Sequence, residues 1–371
     1  MAERKEDCPM IYRYPEYYHD FSCIGGQCPE TCCTGWKISI DERTCRKYAK
    51  ASESMYYMPE FREKLKQGID FKQRVFKTET GRCPFLGNDH LCDIYRQMGP
   101  RALCGACKRY PRHMEDYGQL KEVMLSLSCP EAARLILSQK SRNRFRVRVT
   151  AKKPSFHMPE DVLAQYDRYR HFFFEIVRDQ RQPMEKRAVR LLKAAKAVSH
   201  EDFAVPPKVS KDILENGRQR IEYMEMTGGL EQIIGSWKSM LAPMLQTLRQ
   251  TLEDGQYAQK RAAFKAAEEE LALPYEHLMT YYLYSMLYWA LYDGELSAKV
   301  RLASYYFIVV REMLFARWLM EERCSLEDLV MWASRLARMC EHSDDNVNAL
   351  EAMVGSSPAF NLRRMTGALL Y

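Results

Sequence analysis

Hydrophobic and polar positions give the chain two characters. From about residue 160 the pattern is helical, with strong helix formers throughout "EKRAVRLLKAAKAV" and "RAAFKAAEEELAL". "LEQIIGSWKSMLAPMLQTLRQTL" is amphipathic and predicts a helix that kinks at Pro243. The stretch 275–292 is apolar all round, as a buried helix would be. Helices are also expected at 297–322, 326–342 and 344–354. Ser325 and Asp328 have capping-box spacing, and Gly355 suits a left-handed stop for the last of these helices.

Before about residue 135 the pattern is broken by turn formers. Gly25-Gly26, Pro29, Gly35, Gly81, Pro84, Gly87-Asn88, Gly99-Pro100 and Pro111 leave room only for short helices, around 42–50, 60–68 and 130–139. "WKISID" alternates apolar and polar residues and predicts a short strand. In "SQKSRNRFRVRVTAKKP", Arg142, Arg144, Arg146 and Arg148 recur with a period of two. An extended segment would carry all four on one face. This reads as an edge strand or linker whose charges block unwanted pairing. The functional alternative is a site for an acidic protein surface or a carboxylate-bearing ligand.

The fold expected is therefore mainly α. A Cys-rich, turn-rich metal-binding N-terminal region with little β (1–140) precedes a multi-helix C-terminal domain (141–371). No solenoid repeat stands out. No G-x-G-x-G loop follows a strand, since Gly25-Gly26 and Gly228-Gly229 are lone pairs, so the fold is not Rossmann.

Composition narrows the setting. With 371 residues, 46% of them hydrophobic, the chain can bury a large core. The first residues, "MAERKEDCPM", are charged and lack an apolar signal core. The longest apolar run, Tyr281 to Tyr292, is twelve residues, too short to span a bilayer. A cytoplasmic, membrane-free location is expected. The net charge of +7 decides little. The basic stretch is short and lacks interleaved aromatics apart from Phe145, which argues against nucleic acid.

Cysteine changes the picture most. Eleven of the 13 precede residue 130. Reduced, clustered thiols favour metal binding or redox chemistry over disulfides, and an odd count argues the same way. The groups are Cys23-x4-Cys28-x3-Cys32-Cys33 and Cys83-x8-Cys92-x11-Cys104-x2-Cys107, with Cys129 beyond. Thiolates are soft ligands for zinc, copper(I) or iron–sulfur clusters. Adjacent Cys32 and Cys33 are hard to fit round one tetrahedral ion, and several iron corners relax that constraint. Neither group has zinc-ribbon spacing, and Cys104 to Cys107 lacks the βαβ context of a redox motif. A nucleophilic cysteine would need a partner His, and no motif supplies one. His90 and His113 lie beside the second group but read as exposed polar residues.

These residues carry a resemblance. "YPEYYHDFSCIGGQCPETCCTGWKISIDERTCRKY" resembles the N-terminal signature of the flagellin lysine-N-methylases, within the broader CxxCxxCC type. "CPFLGNDHLCDIYRQMGPRALCGACKRYPR" and "LSLSCPEAARLIL" resemble its second and third signatures. The likeness returns in "YDGELSAKVRLASYYFIVVREMLFARW" and "ASRLARMCEHSDDN". It implies an enzyme: methyl transfer from S-adenosylmethionine to surface lysines of flagellin, the expected partner. It also implies a [4Fe-4S] cluster. The positions matching the motif are Cys23, Cys28, Cys32, Cys33, Cys83, Cys92, Cys107 and Cys129. Eight thiolates exceed the four that one cubane needs, so some are structural or a second metal exists. Cys45 and Cys104 depart from the pattern and, with Cys8, Cys324 and Cys340, are not expected to be ligands. Cys340 shares an apolar helix face with Leu336, as a packed thiol would. The alternative function is a non-catalytic module that chelates zinc or iron and binds a protein partner. No catalytic or donor-binding residue is assigned from sequence. The donor is expected near the cluster, between the Cys-rich and helical parts.

Overall fold

The computed structural model describes residues 9–78, 81–199 and 209–371. Cys8 lies outside them. The described residues are mostly helical and form two sheets. The larger sheet has strands β1 (Met10–Pro15), β4 (Arg112–Tyr117), β5 (Leu120–Leu125) and β6 (Phe145–Thr150), in the order β4-β5-β1-β6. β1 runs parallel to β5 and antiparallel to β6. The β4–β5 hairpin turns at Gly118, where φ is +75°, and a Cβ there would meet the Phe156 carbonyl at 2.8 Å. The smaller sheet pairs β2 (Ile69–Asp70) with β3 (Val75–Phe76).

The N-terminal helices are α1 (Glu42–Glu53), α2 (Pro59–Gly68), α3 (Asp93–Met98), α4 (Gly105–Arg109) and α5 (Pro130–Leu137). Asp41 caps α1 through the Thr44 amide, and Pro59 opens α2. Then come α6 (Glu160–Val177), α7 (Met184–Val198), α8 (Ile213–Gly228), α9 (Trp237–Glu253), α10 (Tyr257–Ala267) and α11 (Ala272–Met286). The last are α12 (Ala290–Asp293), α13 (Leu296–Glu321), α14 (Leu326–Glu341), α15 (Asp344–Ser356) and α16 (Leu362–Leu370). α13 is buried on every side for most of its length, which makes it the axis of the bundle.

The apolar side chains form two cores. A small one holds Ile38, Tyr48, Phe61, Leu65, Phe76, Phe85 and Ile94. The large one joins β5 and α5 to the bundle helices, so residues 120–137 share a core with the C-terminal part. An ionic network seats α6 on the sheet. Arg170 reaches both oxygens of fully buried Glu122 at 2.7 and 2.8 Å, and Arg13 reaches it at 3.0 Å. Burial pushes the Glu122 carboxyl up to about 8, with Arg13 pulling the other way.

Most expected helices are present, and the Ser325–Asp328 capping box forms. The differences have local causes. Residues 230–236 are irregular, and α9 starts only at Trp237. The Asn346 side chain takes both the amide and the carbonyl of Glu231, at 2.7 and 2.9 Å, which stabilises the irregular backbone there. The helix expected over 275–292 breaks at Met286 into a 3₁₀ turn, Leu287–Trp289, and ends before left-handed Gly294. Gly355 lies inside α15 and does not stop it. The helix ends where Ser357 turns extended before Pro358, as a residue preceding proline prefers. "WKISID" is extended but forms only one bridge, Ser39 to Val75, flanked by Ile40 N–H to Arg74 O at 2.7 Å. The arginine-rich segment is an edge strand, β6, with Arg146 paired to Glu16 at 2.9 Å. Among the described residues no helix is long and apolar enough to cross a membrane.

Candidate active site and thiol centre

Two features meet where the Cys-rich segments touch the bundle. The first is the thiol group. All twelve described cysteines are free. Cys32 and Cys33 lie within hydrogen-bond reach of each other, as do Cys104 and Cys107. In each pair one thiol holds the proton against the other sulfur. That hydrogen bond brings Cys33 down to about 6 and Cys104 to about 7, and it pushes Cys32 and Cys107 up.

The other thiols surround these pairs, close enough for their charges to interact. Cys23 and Cys129 neighbour Cys32, and Cys28 neighbours both Cys23 and Cys129. Cys83 neighbours Cys33, Cys92 and Cys104, while Cys107 neighbours Cys32 and Cys33. The eight matched positions are thus brought to one region. Cys104, left out of the expected set, sits among them. Cys45 packs in the small core and Cys340 in the large one, and Cys324 lies against the large core. Backbone pairing supports the gathering: the Cys83 amide donates to the Cys33 carbonyl at 2.7 Å.

Reduced thiols in a turn-rich nest suit iron or zinc chemically. The sulfurs are not drawn to single-ion spacing: among the described residues no three His, Cys, Asp or Glu side chains are arranged to hold a metal ion. His90 is exposed, and His113 pairs with Glu115 instead.

The second feature is a cavity of about 330 Å³ lined from both parts of the chain. Trp36, Tyr110, Tyr281, Trp289 and Tyr306 give it aromatic walls, with Met124, Met286 and Leu302. Its polar groups are few: Ser126, Ser285, Glu341, His113 and His342, with Arg109 and Arg112. Glu341 ends α14, is half-buried and lines the cavity. Burial pushes its carboxyl up to about 7. Ser126 Oγ donates to Glu341 Oε2 at 3.1 Å and lies 2.6 Å from Ser128 Oγ. Ser128 Oγ in turn lies 2.8 Å from His342 Nε2 and 3.1 Å from the Tyr110 hydroxyl. Burial, aided by Arg338, brings His342 down to about 3, so its ring stays neutral. The Tyr281 hydroxyl accepts from the Leu127 amide at 3.0 Å, leaving its proton free to donate.

Trp36 ties the two features together. Its Nε1 donates to the Cys32 carbonyl at 2.7 Å, and its ring packs on His342 with centroids 4.7 Å apart. Arg338 donates to the carbonyls of Glu30, Thr31 and Ser128 at 3.2 to 3.4 Å. Gly35 fits tightly against the bundle: at φ +87°, a Cβ would sit 2.3 Å from the Ile233 carbonyl.

Comparison with known proteins places this architecture. The family model described as "FliB lysine N-methylase C-terminal domain" matches residues 170–367, more than half the chain. The chain belongs to the FliB lysine N-methylase family. This is a family of lysine N-methyltransferases. A flagellar biosynthetic protein FliU from Salmonella muenchen is 32% identical over 128 residues, 33% of this chain and 75% of that protein. A lysine-N-methylase from Salmonella choleraesuis is 32% identical over 128 residues, again 33% of this chain but 32% of that protein. A lysine-N-methylase from Salmonella typhimurium matches with the same identity and coverage. The chain therefore spans about a third of the length of these two lysine-N-methylases. No solved structure matches.

Sequence reasoning placed the donor between the two parts of the chain but missed the cavity residues. A signal existed. Trp36, Ser126, Glu341 and His342 all lie inside the quoted signatures, beside the cysteines that took the attention.

Proposed function

We propose that the chain methylates side-chain amines of surface lysines on flagellin, with S-adenosylmethionine as donor and the aromatic cavity as the transfer chamber. The observation that carries this reading is the ring of Trp36, Tyr110, Tyr281, Trp289 and Tyr306 round a space open to both parts of the chain. Ring faces attract a sulfonium or ammonium cation, most strongly where water is excluded. At about 330 Å³ the cavity is at the small end for small-molecule sites. It suits a lysine side chain and the methyl-bearing end of the donor. The donor supplies an electrophilic methyl on a positive sulfur. The chain's part is to hold the amine in line with that methyl and to keep it unprotonated. The flagellar name of one relative, the Salmonella muenchen protein, supports flagellin as the target.

We further propose that Cys23, Cys28, Cys32, Cys33, Cys83, Cys92, Cys107 and Cys129 supply the ligands of a [4Fe-4S] cluster, with Cys104 within the same nest. Trp36 and Arg338 then couple the nest to the cavity wall. The test uses anaerobically purified full-length chain, flagellin subunits and methyl-labelled donor. Label on flagellin should fall about tenfold or more in Trp289→Ala and Tyr306→Ala, a loss in the range of a misplaced reactant. Unchanged transfer in both variants would move the chamber elsewhere. Broad visible absorption lost in Cys33→Ser would support the cluster, and a colourless wild type with full activity would exclude it.

A further inference from the structure

We propose that Glu341 is the group that takes the proton from the substrate ammonium; this rests on the cavity being the methyl-transfer chamber. A lysine side chain is almost fully protonated near neutrality and has no lone pair to attack with. The chamber must therefore hold an acceptor facing the amine. Among the described cavity residues the candidates are few. His342 spends Nε2 on Ser128, and burial, aided by Arg338, keeps its ring neutral. The cavity tyrosines Tyr110, Tyr281 and Tyr306 are all raised above their ordinary range by burial, so they hold their protons. His113 is half-exposed and committed to Glu115. Glu341 remains: a carboxylate on the cavity wall, held by the Ser126 hydroxyl at 3.1 Å, its other oxygen without a hydrogen bond among the described residues.

The groups facing it are consistent with that role. Tyr281, Tyr282, Tyr306 and Cys340 surround it from α11, α13 and α14, all neutral thiols or phenols, and His113 approaches from β4. A carboxyl in such surroundings accepts a proton more readily than a solvated one. The step balances simply. The ammonium gives its proton to a Glu341 oxygen. The freed lone pair forms the N–C bond as the donor's S–C bond breaks, with that bond's electron pair staying on sulfur. The proton on Glu341 then passes to solvent on the side of the cavity lined by half-exposed His113. Ser126, itself held by Ser128, fixes the carboxyl in place.

The test compares wild type, Glu341→Gln and Glu341→Asp in the full-length, anaerobically purified chain. Flagellin methylation is followed from about pH 6 to about pH 9.5, between the ordinary carboxylate and lysine values. Folding is checked by circular dichroism and by S-adenosylhomocysteine binding. Wild type should show a rate that rises with pH and breaks near neutrality. Glu341→Gln should lose about 10²–10⁴-fold at neutral pH. Its rate should climb with pH without a break, because hydroxide and water now deprotonate the amine. Glu341→Asp should keep the break at reduced rate. A folded Glu341→Gln with wild-type rate and an unchanged break overturns the assignment while leaving the methylation reading intact. A wild type that transfers no methyl group overturns that reading instead.

Discussion

Replacing Arg338 by methionine should loosen the joint between thiol nest and cavity. The guanidinium is 4% exposed and donates to the Glu30, Thr31 and Ser128 carbonyls at 3.2, 3.3 and 3.4 Å. Bonds from a charged donor contribute about 1.5–3 kcal/mol each at good geometry. These are long, so roughly 1 kcal/mol each is appropriate, or about 3 kcal/mol together. Methionine fills similar space, so little of the loss comes from a cavity. The carbonyls left behind recover part of their solvation through the adjoining space lined by Glu30 and Thr31. The net expectation is a destabilisation of about 2–3 kcal/mol, read from urea unfolding under reducing conditions. Arg338→Lys, with one donor group in place of the fork, should fall between. The same charge helps hold Cys33 low, after its hydrogen bonds to Cys32 and Thr31. Alkylation of Cys33 near neutral pH should therefore slow in Arg338→Met. A change below about 0.5 kcal/mol, the scatter of an ordinary surface substitution, would refute the clamp.

Gly35→Ala should cost about 1–2 kcal/mol for the left-handed backbone and roughly 1–3 kcal/mol more for the clash with Ile233, lowering the thermal midpoint. An unchanged midpoint would mean the loop is not docked there. Glu122→Ala leaves Arg13 and Arg170 with Asp167 as their remaining shared carboxylate and should cost about 3 kcal/mol in chemical denaturation, the low end for a broken buried pair. Retained stability would show that water reaches that network. His113 is raised by its hydrogen bond to Glu115, against the pull of burial. Its folded value lies above its unfolded one, so its stabilisation is full below the unfolded value and fades as pH rises through the folded value. Wild type should exceed His113→Gln in stability on the acid side and converge with it in alkali, and a constant gap across pH would contradict this.

The bundle was legible because α13 and α14 carry their signals locally: a long, largely apolar stretch in one, a capping box and apolar stripe in the other. The larger sheet was not, apart from β6. β1 is "MIYRYP", with no clean alternation, and it is a strand because β5 and β6 flank it from more than 100 residues away. Such pairing leaves no mark in a local window. The break after Met286 is equally hidden, since apolar residues run straight through it. At the site, the cysteines announced themselves by type and spacing. Glu341 did not, because a glutamate near a helix end usually lies in solvent. Its meaning comes from Ser126, over 200 residues earlier, and from the aromatic side chains that α11 and α13 bring round it.

The most direct test of the account is mass-spectrometric mapping of flagellin after incubation with the full-length, cluster-replete chain and S-adenosylmethionine. The account predicts methyl groups on surface lysine side chains, absent without the chain and strongly reduced when the aromatic cavity is altered by Tyr306→Ala. Flagellin that stays unmodified while the chain binds the donor, or methylation indifferent to the cavity, would contradict it.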